Sequence, residues 1–330
     1  MKIAYVTEDG AYIRKKENKL VVTRKEDIVL EIPIENLNGL VITDYVQVSS
    51  QATAMLLRKG IFLTWISSKG EFIGRLESPY FADVDKQYDQ ISLVKDCDFC
   101  NKLSRQIILA KMKNSVTILR RFLRNKTELK INWGIFARLE SAILKTNSLK
   151  HLMGYEGFFA KQYFKIIGEN ITDEFKFIGR SKRPPRDKFN SIISFGYTLL
   201  FYEIQTLIIN KGLHPYFSYM HKFNSRYMAL AADLMEEWRA VLIDAIALAG
   251  VAREIFTEFD FDKIPGSGAI YLNRTGKKKF VELYERKMLS VNKYFGSSYS
   301  YRHTLGWQVD KLVNAILAKD PDKYTPLIIR

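Results

Sequence analysis

Two carboxylates three residues apart, Asp233 and Glu236, fall in a stretch from Tyr227 to Ala247 whose apolar residues recur at helical spacing. They therefore share one helix face, beside the stripe of Met228, Leu230, Ala231, Leu234, Met235 and Trp238. Acids in that position are solvated, paired with Arg239, or bound to a cation. His221 stands just ahead of this helix and is one of four histidines, with His151, His214 and His303. A third acid, Glu156, is bracketed by Gly154 and Gly157 in an otherwise apolar run. Either it begins a helix near the positive dipole end, or it is a ligand that needs room for metal and substrate, because glycine permits close approach of the backbone. The two cysteines, Cys97 and Cys100, form one CxxC without the further ligands that a structural zinc requires, and read as incidental to a helix start that Asp98 can cap.

The cations outnumber the anions. Lys and Arg total 51 against 36 for Asp and Glu, a net charge of +15 that favours polyanionic partners, nucleic acid above all. Between Lys102 and Lys130, Glu128 is the single acid among many basic residues, including Arg120, Arg121 and Arg124, so this helical stretch is either a phosphate-tracking face or a solubilising one. A rigid loop holds Lys182, Arg183, Pro184, Pro185 and Arg186, whose cations either grip phosphates or are solvated, and Asp187 can cap the helix that follows to Ile209. Lys277, Lys278 and Lys279 cluster on a glycine-containing turn after Leu272.

The elements that must position these groups change character along the 330 residues. Ile3–Val6, Ala11–Arg14, Leu20–Thr23, Ile28–Ile32, Gly39–Ile42 and Val46–Val48 read as strands. A helix capped by Ser49 or Ser50 runs to about Lys59, the strand Ile61–Ser67 follows, and a turn at Ser68, Lys69 and Gly70 leads back through Phe72–Leu76. Asp83 to Gln90 is polar and reads as a linker. The expected fold is α+β: a β-rich domain over 1–85, a linker at 86–95, and a larger all-α catalytic and DNA-binding domain over 96–330. The apolar runs, such as Ala245 to Ala252, stop short of a membrane span, and acidic Glu8 and Asp9 interrupt any signal-like start, so a soluble, cytoplasmic protein is expected.

Taken in order, several blocks carry a resemblance. They are Leu152-Met153-Gly154-Tyr155-Glu156-Gly157, Arg183-Pro184-Pro185-Arg186-Asp187 with Asn190, Ser194-Phe195-Gly196-Tyr197, Gly212-Leu213-His214-Pro215-Tyr216 with His221, and Asp233-Leu234-Met235-Glu236-Glu237-Trp238-Arg239. With the tail Arg302 to Gln308 and Tyr324-Thr325-Pro326, the set resembles the CRISPR-associated integrase family, "CRISPR-associated protein one", over essentially the whole chain. His214 stands where that family often has Asp, and Ala240 where it often has Pro.

The resemblance implies a metal-dependent DNA endonuclease and integrase that inserts short captured DNA into a CRISPR array. It puts the metal site on Glu156, His221 and Glu236, with Asp233 as a rival or auxiliary ligand. Two carboxylates and an imidazole suit Mg²⁺ or Mn²⁺. It also implies a homodimer formed through the β-domain, bridged by "CRISPR-associated protein two". Apolar faces such as Ile61 to Ile66 either form that interface or fill the domain's own core. The competing readings are a non-catalytic basic scaffold, which would bind DNA without metal, and a general metal-dependent nuclease, which would leave cut ends in place of branched products.

Overall fold

Alternation of inward and outward side chains builds the first part of the chain. The computed structural model describes residues 2–67, 72–76, 78, 82–126, 131–181, 183–222, 227–294 and 296–329, and it divides into two units, Met1–Ala82 and Asp83–Arg330. In the first, β2 (Ala11–Lys16), β3 (Lys19–Arg24) and β4 (Asp27–Pro33) form an antiparallel meander, and β6 (Gln47–Val48) joins β2 in parallel. A second sheet has the order β1 (Lys2–Val6), β5 (Leu37–Thr43), β7 (Phe62–Ile66), β8 (Phe72–Leu76), parallel except for the last pair. Ile13, Leu20 and Val22 of one sheet and Leu40, Ile42 and Leu63 of the other share a buried core with Met55 and Leu56 of α1 (Ser50–Arg58). Gly39 is obligatory in this packing, since a Cβ there would lie inside the Phe62 ring. The expected strands are therefore present; the turn at Ser68, Lys69 and Gly70 lies outside the described residues.

The stretch Ile61 to Ile66 is consumed within this unit. Ile61 and Leu63 belong to the main core, and Phe62 and Ile66 are buried with Ile3 and Val41. Three successive apolar residues on β4, Ile28, Val29 and Leu30, are left 54%, 51% and 44% exposed, and Tyr12, Tyr45 and Ile73 are exposed singly elsewhere in the unit. Among the described residues β4 is an edge strand, paired with β3.

The second unit is helical. Its long elements are α3 (Cys97–Phe122), α5 (Leu149–Asn170), α6 (Lys188–Asn210), α9 (Arg274–Leu289) and α10 (Tyr301–Ala318). Around them lie α2 (Val84–Leu93), α4 (Gly134–Lys145), α7 (Ala229–Met235) and α8 (Ala245–Ala252). It is not all-α: the hairpins β9 (Phe261–Ile264) with β10 (Ala269–Leu272), and β11 (Val291–Tyr294) with β12 (Ser297–Ser300), interrupt it. α6 is long and apolar enough to cross a membrane by length and composition, and it is mostly buried inside the chain's own core.

Four local expectations are corrected. The polar stretch read as a linker is helix α2, capped by Asp83, and its Gln90 is fully buried because its amide donates to the carbonyls of His214 and Phe217 at 2.8 and 2.9 Å and accepts from the His214 amide. The helix holding the CxxC is capped by Asp96, not Asp98. Lys277, Lys278 and Lys279 lie in the first turns of α9, whose cap is Asn273. The single helix expected over Tyr227 to Ala247 is instead α7, a wide π-type turn over Arg239–Asp244, and α8. Such turns reorient successive side chains and recur at functional sites.

Candidate active site

Asp233 organises the site without facing it. It is fully buried on α7. Its Oδ2 accepts from the backbone amides of Tyr219 and Met220 at 2.8 and 3.0 Å, and its Oδ1 accepts from the amide and ring Nδ1 of His221 at 3.0 and 2.7 Å. Three consecutive amides thus wrap one carboxylate and pin the loop that carries His221. With Nδ1 turned to Asp233, the imidazole presents Nε2 to Glu236, whose Oε1 is 3.9 Å away. Burial disfavours the imidazolium, but the Asp233 hydrogen bond and the charges of Asp233 and Glu236 outweigh it and raise the His221 pKa. Asp233 is thereby the group that orients His221, a carboxylate–imidazole pairing that also fixes metal-binding histidines.

Glu236 sits where α7 gives way to the wide turn. Its Oε1 meets Arg239 Nη1 at 2.8 Å and its Oε2 meets Lys111 Nζ at 2.6 Å. Burial opposes its charge, yet Arg239, Lys111 and His221 together hold the carboxyl well below the usual range. The same Lys111 ammonium contacts Oε1 of Glu156. Glu156 lies in the middle of α5 rather than at a helix start, which overturns the dipole reading. Two carboxylates from helices distant in sequence therefore close on one cation, with an imidazole beside them.

Among the described residues no three His, Cys, Asp or Glu side chains stand gathered as a finished metal cage. The donor chemistry nonetheless fits a divalent ion, since two carboxylate oxygens already converge on a positive centre and a ring nitrogen is oriented next to them. A family model described as "CRISPR associated protein Cas1" matches residues 4–286.

The chain belongs to the Cas1 family.

A Mycobacterium tuberculosis protein named "CRISPR-associated endonuclease Cas1" is 26% identical over 328 residues, covering 98% of this chain and 97% of its own. Among solved structures, "Casposase bound to integration product" superposes with a TM-score of 0.86 at 19% identity, over 100% of this chain and 96% of that one. "Cas6-RT-Cas1--Cas2 complex" gives 0.83 at 20% identity, over 99% of this chain and 36% of that one. These two likenesses concern the fold.

Against this Cas1 frame, the structure sorts the cations singled out from the sequence. Arg183 and Arg186 are exposed on a loop knitted by buried Asn190, which accepts from Arg180 at 2.7 Å and donates to Gly179 and Asp187 at 2.8 and 2.6 Å. Asp187 caps α6 as expected. Arg120, Arg121 and Arg124 are exposed at the end of α3, with Arg120 over the Trp133 ring. Lys287 of α9 has its pKa lowered by burial and then by the like charge of Arg121. Lys278 is exposed and Lys277 half-buried, while Lys279 is paired with buried Asp260 at 2.7 Å. Lys182 lies outside the described residues.

Two groups at the site escaped sequence reasoning. Lys111 belongs to the basic stretch between Lys102 and Lys130, yet it falls on the face of Ile107, Ile108, Ser115 and Ile118, all buried; that register is the available signal. Tyr227, 37% exposed and stacked on the Phe201 ring, lies within electrostatic reach of Arg239, Glu236, Asp233 and Arg183.

Behind Arg239, Asp244 accepts from Tyr197 at 2.6 Å and Tyr163 at 2.9 Å, while Arg239 and Arg180 both lie over the Tyr197 ring. Burial raises the Asp244 pKa to about 6, and the two tyrosine hydrogen bonds only partly oppose it. The native carboxyl therefore keeps a proton that the unfolded one loses above its ordinary 3.8, so its contribution to stability falls as pH rises from about 4 to about 6. Over that window wild type should lose about 3 kcal/mol relative to Asp244→Asn. Urea unfolding of both proteins across the range checks this; parallel stability curves would refute it.

Proposed function

We propose that the protein is a divalent-metal-dependent DNA endonuclease and integrase, which joins the 3′-hydroxyl of a short captured DNA to a phosphodiester of a CRISPR array in a prokaryotic cytoplasm. The observation that carries this reading is the meeting of Glu156 and Glu236 on one cationic centre, with His221 Nε2 beside Glu236. Those three side chains would hold Mg²⁺ or Mn²⁺. When bound, the ion supplies activation of the attacking hydroxyl and neutralises charge developing on the non-bridging oxygens. Asp233 keeps the imidazole turned inward, and Arg239 holds Glu236 in place. In the transfer a P–O bond forms as another breaks, so no nucleotide cofactor is required. Relatives named endonucleases and the casposase likeness point the same way.

The glycines beside Glu156 support an approaching substrate. Gly154 and Gly157 are exposed, mid-helix, and a Cβ on either would touch nothing within 4 Å. The protein's own packing gives no reason for them, and each costs a helix roughly 1 kcal/mol against alanine. Gly157→Ala should therefore raise stability by about 0.5–1 kcal/mol yet lower strand transfer. A variant that gains stability with full strand transfer would show that no substrate comes close there.

Arg183 and Arg186, with the exposed cations at the end of α3, exposed Lys278 and half-buried Lys277, are assigned to the DNA backbone. The β-unit is assigned to a homodimer, and its free β4 edge with Ile28, Val29 and Leu30 is the surface that suits pairing with a second copy. Light scattering at micromolar concentration should give a dimer for wild type and a monomer for Val29→Lys; a wild-type monomer refutes the assignment. The bridging partner is assigned as Cas2, in keeping with the Cas1–Cas2 assembly named above.

The function is tested by strand transfer. Purified protein, a duplex with a free 3′-hydroxyl and a repeat-containing target should give branched product with Mn²⁺ or Mg²⁺ and none with chelator. DNA binding that survives chelation with no product under any metal would leave only the scaffold reading, and cut ends without branches only the nuclease reading.

A further inference from the structure

Lys111 is buried on the inner face of α3, 9% exposed, where a solubilising lysine would turn outward. An ammonium taken out of water survives only when it is paired, and its partners are Glu156 and Glu236, the two carboxylates assigned above to the divalent ion. Without that ammonium, two anions brought together by different parts of the chain would face each other in a desolvated site with Arg239 and His221, both on the Glu236 side, to offset them.

We propose that Lys111 is a tethered counter-ion that occupies the cation position between Glu156 and Glu236 in the metal-free protein, keeps them in register, and competes with the divalent ion for them. The inference rests on the metal-binding reading of the site. Its consequence is a threshold on loading: the ammonium must withdraw from at least one carboxylate before the ion can take both. The flexible four-carbon stem of lysine permits that withdrawal. A merely structural lysine would make the site weaker when removed, whereas a competing one makes it tighter. The two roles thus predict opposite signs for the change in metal affinity.

The experiment is Mn²⁺ binding, followed by electron paramagnetic resonance of the free ion, with melting temperatures taken with and without Mn²⁺. Lys111→Met should bind Mn²⁺ about tenfold tighter or better, one compensating charge having been lost from the site. Its melting temperature without metal should fall, and Mn²⁺ should raise it by more than in wild type. Lys111→Arg, which keeps the charge, should not bind tighter than wild type. Where Lys111→Met does not fold, Lys111→Gln, neutral and of similar length, reads the same affinity. Equal or weaker Mn²⁺ binding by the neutral variants overturns the competition while leaving the metal site standing. Absence of Mn²⁺ binding in wild type and variants alike overturns the metal site itself, and the competition with it.

Discussion

Glu156→Ala, compared with wild type under Mn²⁺, is expected to lose on the order of 10³-fold or more in branched strand-transfer product while duplex DNA binding stays close to wild type. The separation follows from where the groups lie. Glu156 contributes one of the two carboxylates on the cationic centre, whereas the exposed arginines that would track phosphates, such as Arg183 and Arg186, sit on other elements. On the proposed reading, removing the carboxylate takes away metal chemistry and leaves the basic surface. Strand transfer by Glu156→Ala at the wild-type rate would defeat the catalytic assignment, and a parallel loss of DNA binding would show that the substitution acts on the fold.

The second large effect is on stability. Arg302 of α10 is 2% exposed; its Nε donates to Glu203 of α6 at 2.7 Å and its Nη2 to Glu285 of α9 at 2.7 Å. Tyr284 of α9 donates to the same Glu203 at 2.6 Å. One guanidinium therefore ties three helices together, and its carboxylate partners hold it above even the usual arginine range, against the effect of burial. Arg302→Met strands Glu203 as a buried charge and should destabilise the protein by about 3–5 kcal/mol. Adding Glu203→Gln should recover much of that loss, because the penalty lies in the unpaired ion rather than in the missing bond. Chemical unfolding of the two variants measures both steps; a single variant within 1 kcal/mol of wild type, roughly the effect of an ordinary surface pair, would contradict the reading.

What the sequence disclosed and what it hid divide along a physical line. The β-unit was legible because short alternating segments punctuated by turn residues leave few options, and each expected strand from β1 to β8 is present. Glu156 and Glu236 stood out as acids set in apolar stretches and His221 as one of four histidines just ahead of a helix, and the resemblance assigned them one site. Helix α2 stayed hidden because its residues are polar and its anchor, Gln90, is buried for tertiary hydrogen bonds that local pattern does not encode. Glu156 looked like a helix start because glycines flank it, although those glycines open on free space inside α5. The wide turn after Glu236 kept helical spacing of apolar residues, so periodicity could not reveal it. The role of Lys111 stayed hidden among the many bases of its stretch because its partners arrive from elsewhere in the chain.

The central claim is that Glu156, His221 and Glu236 bind one divalent ion. Anomalous diffraction at the manganese edge, from crystals of the protein grown with Mn²⁺ and branched DNA, addresses it most directly. The account predicts a manganese peak at about 2.0–2.3 Å from a carboxylate oxygen of Glu156, a carboxylate oxygen of Glu236 and Nε2 of His221, with Asp233 still on Nδ1 of His221 and outside the coordination sphere. A peak bound elsewhere, or branched product in the crystal with no manganese between these three side chains, would contradict it.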